Sequence, residues 1–101
     1  EGNSITGGVT ASTAKTHEVL MTMDGFSPAI LEISTGDTVR WKLTRADKFN
    51  KGMIIGTQKC LKVRSSFFNT GESFEWTFDQ PQTCIIVDGI MTTKSMKVVV
   101  K

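Results

Sequence analysis

Few side chains in this 101-residue chain could do chemistry: one histidine, His17, two cysteines, Cys60 and Cys84, and no tyrosine. On an extended strand His17, Met21 and Met23 share one face, and an imidazole with thioethers is a soft ligand set suited to Cu(I). The competing reading is that the methionines fill an irregular core edge. A single histidine also means that the chain alone builds no two-histidine metal site. Cys60 and Cys84 permit one bridge at most; otherwise both are small hydrophobes, Cys84 in the core and Cys60 near the surface. Neither reads as a nucleophile, because a catalytic thiol needs a neighbouring base and His17 is far along the chain. There are no convergent paired carboxylates, no Ser/His/Asp set and no phosphate-cradling glycine loop; Gly7-Gly8 precedes no helix, and Asp79 and Asp88 read as strand-end turn residues. Neither an enzyme nor a cofactor is expected.

Charge is the second chemical feature. Arg40, Lys42, Arg45, Lys48, Lys51, Lys59, Lys62 and Arg64 stand against Asp47 alone between residues 40 and 64, a local charge of +7, while the other residues sum to −5 and the whole chain to +2. Clustering beyond what solubility requires is the footprint of an anionic partner. The plainer reading is that these cations blunt sheet edges and keep the chain in solution. Another protein or an acidic surface is the first candidate partner and nucleic acid the second, although Phe49 alone interleaves the stripe as a stacking platform for bases. Adjacent on a strand, Phe67 and Phe68 point to opposite faces, which leaves one for a contact.

The elements that must position these groups read as strands. The length suits one domain, and 39% hydrophobic with 22% charged residues excludes a disordered chain or a coiled coil. No apolar run approaches the ~20 residues of a bilayer-spanning helix, so membrane insertion is not expected. Beginning at Glu1 with no basic-then-apolar leader, the chain reads as a processed or excised piece of a larger protein or assembly. Residues 1–15 are small and polar and read as a flexible leader or edge arm, in which only Ile5 and Val9 could anchor to a sheet; the domain proper is 16–101. Period-2 alternation predicts strands at 16–23, 29–34, 38–44 and 73–79, with further short strands at 84–87 and 96–100. Between 38–44 and 73–79, the segment 52–57 holds Met53, Ile54 and Ile55, and 59–68 is less regular. In 38–44, Val39, Trp41 and Leu43 alternate with Arg40 and Lys42; in 73–79, Phe74, Trp76 and Phe78 alternate with polar residues. Short strands at intervals near ten residues point to an antiparallel Greek-key sandwich. Its expected core is Trp41, Trp76, Phe74, Phe78, Leu43, Val39, Ile33 and the valines of the last strand.

The order of these segments resembles the cupredoxin family. Phe26-Ser27-Pro28 through Ile33 and then Gly36-Asp37-Thr38-Val39-Arg40-Trp41 resemble its F-x-P…G-D-T-V-x-W segment, Thr70-Gly71-Glu72-Ser73-Phe74 through Phe78 its G-x-S-F-x-x-T-F strand, and Pro81-Gln82-Thr83-Cys84 its P-G-T-Y. The resemblance implies a cupredoxin-like Greek-key β-sandwich of about seven to eight strands over 16–101. It also implies where blue-copper ligands would stand, and the matching positions lack them. The first histidine would fall near Lys51 or Gly52, the cysteine at Asp88 and the second histidine near Met91. The axial methionine would be Met96, or Lys94 if the terminal valines are aligned instead. No type 1 copper is expected. A Cys60–Cys84 bridge would be loosely similar to the disulfide of phytocyanins, with Cys84 in the tyrosine position of P-G-T-Y.

These readings combine into a copper-free binding or structural module. Its expected contact surface is Arg40, Lys42, Arg45, Lys48, Lys51, Lys59, Lys62 and Arg64. One alternative is a copper-handling or redox protein using His17, Met21 and Met23 with help from Met91 and Met96. The other is a nucleic-acid-binding domain.

Overall fold

The structure, a computed structural model, describes residues 14–101. Residues 1–13, which hold most of the expected arm with Ile5 and Val9, lie outside the described residues. Ten strands follow: β1 (Thr16–Thr22), β2 (Gly25–Ser27), β3 (Ile30–Ile33), β4 (Thr38–Leu43), β5 (Lys51–Gly52), β6 (Ile54–Gly56), β7 (Phe68–Asn69), β8 (Ser73–Thr77), β9 (Gln82–Asp88) and β10 (Ser95–Val100). Two sheets form the sandwich, with strand orders β2-β1-β4-β8 and β3-β10-β9-β6, while β5 and β7 make a two-stranded ribbon. The strand count exceeds the expected seven to eight because β2, β5, β6 and β7 are segments of only two or three residues.

The expectation of a wholly antiparallel sandwich is corrected in two places, since β1 pairs parallel with β4 and β3 parallel with β10. The chain path explains the first. After the β1-β2 hairpin the chain changes sheets at Ser27-Pro28 without reversing. It reverses only at the Thr35-Gly36 turn, so β4 re-enters the first sheet in the direction of β1. Gly36 makes that turn at φ +99°, a left-handed conformation natural to glycine. Tight approach elsewhere demands Gly56, where a Cβ would meet the Cys60 carbonyl oxygen at 2.0 Å.

Between the sheets lie Val39, Trp41 and Leu43 of β4, Val19 and Met21 of β1, Ile33, Cys84, Ile86, Met96, Val98 and Val100, with Phe78 beyond the end of β8. Most of the expected core is thus inside. Phe74 and Trp76 are only partly covered, because β8 is an edge strand with no neighbour beyond it among the described residues, and Val99 points outward by the same alternation that buries Val98 and Val100. Trp41 anchors the centre. Its ring stacks on Phe74 at 6.0 Å and meets Phe78 edge-on at 6.4 Å, and its indole N–H, which needs a partner once buried, donates to Met96 Sδ at 3.2 Å. Cys60 and Cys84 are joined in a disulfide, with Cα atoms 5.7 Å apart, tying the turn after β6 to β9.

Candidate functional site

At one pole of the sandwich β1, β4 and β9 end and β10 begins, and the loops 44–50 and 89–94 meet there. At its centre is an ion pair. The alternation that turns Val39, Trp41 and Leu43 inward continues one step past β4 to Arg45, and the alternation that buries Cys84 and Ile86 brings in Asp88. Their side chains are 0% and 2% exposed. Arg45 Nη1 donates to Asp88 Oδ2, and Nη2 donates to the Lys51 carbonyl at 2.9 Å and approaches Asp88 Oδ1 at 3.5 Å. Arg45 Nε donates to the Phe49 carbonyl at 3.3 Å. Asp88 Oδ1 also accepts the amides of Ile90 at 2.9 Å and Met91 at 3.0 Å, and the Thr70 hydroxyl donates to the Arg45 carbonyl. Charges removed from water are tolerated only when paired and hydrogen-bonded, and this pair is both. The network joins the 44–52 segment, the β7-β8 turn and the 88–94 loop.

This arrangement does not fit a type 1 copper ion. Asp88, at the position that the resemblance assigns to the ligand cysteine, spends its carboxylate on a guanidinium and two amides. That guanidinium brings a permanent positive charge to the same space. Lys51, Gly52 and Met91 stand where imidazoles would be needed. Among the described residues, no group of three or more His, Cys, Asp or Glu side chains is placed to hold a metal ion. Two earlier expectations are corrected here: Asp88 is not a simple turn residue, and Arg45 is not on the contact surface, because its strand parity points it into the core.

The soft-ligand set is corrected as well. Met21 is buried four residues along β1 from His17, a separation of ~13 Å on an extended strand. Met23 lies past the end of β1 in the turn before β2 and is 49% exposed. Met96 is engaged under Trp41. His17 therefore stands apart from Met21, Met23 and Met96. His17 instead donates from Nε2 to Asp37 Oδ2 at 2.9 Å at the opposite pole, where Asp37 also accepts the amides of Lys15 and Ser34 at 3.0 and 3.1 Å. These donors, the His17 hydrogen bond first, lower the Asp37 pKa from 3.8 to about 2. An open cleft of about 700 Å³ passes beside this pair. Its other charged side chains include Glu32 and Lys101, which pair with each other at 3.1 Å.

The remaining basic residues divide by partner. Arg40, on the outer face of β4, pairs with Glu75 of β8 at 2.6 Å. Lys42 is exposed on the same face, Lys48 holds its ammonium 5.5 Å from the Phe49 ring centroid, and Lys51 donates to the Asn69 side chain. Lys59, Lys62 and Arg64 are exposed between β6 and β7. Among the described side chains, ion pairs form only at His17–Asp37, Arg40–Glu75, Arg45–Asp88 and Lys101–Glu32. Of the Phe67-Phe68 pair, Phe67 is the exposed member, at 64%, and Phe68 packs inside. Sequence reasoning did not single out Leu61, which is 70% exposed.

Fold and pole together define a cupredoxin-type β-sandwich with an internal ion pair at the pole where β1, β4 and β9 end. Solved structures bear out the fold. The chain superposes on a purple cupredoxin from Nitrosopumilus maritimus with a TM-score of 0.76 at 20% identity, over 84% of this chain and 99% of that one. It matches an amicyanin variant in the Cu(I) state with a TM-score of 0.75 at 18% identity, over 85% and 82% of the two chains. It also matches the copper-containing nitrite reductase NirK from Thermus scotoductus SA-01 with a TM-score of 0.71 at 21% identity, over 84% of this chain and 22% of that one. No protein-family model matches the sequence. No helix among the described residues is long and apolar enough to cross a membrane.

Proposed function

We propose that this domain is a non-enzymatic binding or structural module that contacts an acidic protein surface through Lys42, Lys48, Lys51, Lys59, Lys62 and Arg64. The observation that carries this reading is the division of the basic segment. Arg45 is spent inside and Arg40 on Glu75, while the other six point into solvent without an ion-pair partner among the described side chains. Cations arranged this way set up a field that draws an anionic partner and adds little to the stability of the fold itself. The non-enzymatic part rests on the residues that catalysis would need. The lone histidine is committed to Asp37, and both oxygens of Asp37 are taken by donors that hold its turn.

The test is retention on immobilised poly-glutamate. Reversing all six charges to glutamate should abolish retention by the folded domain, and unchanged retention would discard the surface. An oligonucleotide held to higher salt than poly-glutamate would replace the protein partner with nucleic acid, whose grip weakens with salt in proportion to the phosphates neutralised.

A further inference from the structure

From the segment between β6 and β7 we infer a preformed docking site for an acidic protein segment that carries apolar side chains among its carboxylates; this rests on the function proposed above and narrows it. The backbone of the segment is held from several sides. Its turn is stapled to β9 by the Cys60–Cys84 disulfide, Thr57 bonds the Ile85 carbonyl through both its amide and its hydroxyl, and Gly56 N–H donates to the Val63 carbonyl at 2.6 Å. Ser65 closes the far side, its amide donating to the Ile54 carbonyl and its hydroxyl accepting the Ile54 amide. Gln58 sits at φ +54°, a left-handed conformation uncommon in residues that carry a side chain. Cys60, Val63 and Ser65 point inward, and Lys59, Leu61, Lys62, Arg64 and Phe67 outward.

Two large apolar side chains, 70% and 64% exposed, therefore flank cations on a backbone that loses little freedom on binding. Carboxylates answer Lys59, Lys62 and Arg64, the last with a planar fork suited to bidentate pairing. Apolar side chains on the same partner segment cover Leu61 and Phe67. A partner offering charge alone would leave those two in water.

The experiment measures affinity of the 101-residue chain, disulfide intact, for a peptide of alternating Glu and Leu, for poly-glutamate, and for phosphatidylserine-containing vesicles. The Glu/Leu peptide should bind about tenfold or more tightly than poly-glutamate, and Leu61→Ser with Phe67→Ser should erase that preference. Lys59→Glu/Lys62→Glu/Arg64→Glu should weaken the peptide about tenfold or more, and Lys42→Glu/Lys48→Glu/Lys51→Glu far less. A glutamine version of the first triple variant, with an unchanged melting temperature, separates lost charge from lost fold. If the second triple variant abolishes binding and the first does not, this site is wrong and the wider basic surface stands. If neither changes binding, both readings fall. Vesicles bound more tightly than the peptide would overturn a protein partner in favour of an anionic lipid surface.

Discussion

Arg45 and Asp88 stabilise the loop pole only as a pair. Removing either leaves a buried, unpartnered charge, which costs about 3–5 kcal/mol, whereas removing both leaves none. Arg45→Ala and Asp88→Ala are each expected to lose that much in urea unfolding, and the double variant much less than their sum. Additive losses would show the two residues acting separately. Asp37 gives the opposite pole a pH dependence. Its folded pKa is about 2 against 3.8 for the free side chain, so the carboxylate form is favoured by folding. That contribution is complete above about pH 5 and fades as pH falls toward 2, and it should be missing in Asp37→Asn, whose stability profile should be flatter across that window. An Asp37 carboxyl titrating near 3.8 by NMR would contradict it. Both pairs join residues far apart in sequence, by 43 and 20 positions, so composition alone did not show them. Strand parity did carry a signal for Arg45, one step past β4, and for Asp88, the last residue of β9, but charged residues at strand ends read as loop and turn residues.

Among the elements, the turn after β6 is the one whose place depends most on a covalent link. The two cysteines are 24 positions apart, and closing a loop of that length restricts the unfolded chain enough to contribute ~3 kcal/mol. Cys60→Ala/Cys84→Ala is expected to lose about that amount, seen as a lower urea midpoint with unchanged far-UV signal. A reducing agent should produce the same loss in the wild-type chain and none in the variant. The bridge was one of two readings open to the sequence, since spacing cannot report whether two Cα atoms come within bridging distance. Alternation marked β4 and β8 clearly. It was silent on β5 and β7, which at two residues each are too short to show a period, and on the parallel pairing of β1 with β4, which comes from a sheet change and not from local pattern.

Across the whole molecule, the basic stretch of the sequence separates into two electrostatic regimes. The Arg45–Asp88 pair is enclosed in protein, where mobile ions do not reach it, while Lys42, Lys48, Lys51, Lys59, Lys62 and Arg64 stand in solvent, where the Debye length of about 10 Å at 0.1 M salt limits their reach. The +7 of residues 40–64 was legible from counting, and the sandwich from alternation and the order of segments; the division of those charges between core and surface depends on packing. One salt titration read in two ways tests that division. Raising NaCl from 50 to 500 mM should leave the urea midpoint nearly constant, because the pair that stabilises the fold is unscreened. Over the same range, the association rate with the Glu/Leu peptide should fall steeply while the dissociation rate changes little, because exposed charges act mainly by steering encounter. A midpoint that drops with salt would place the stabilising charges at the surface. A salt-insensitive association rate would mean that the six cations do not guide a partner.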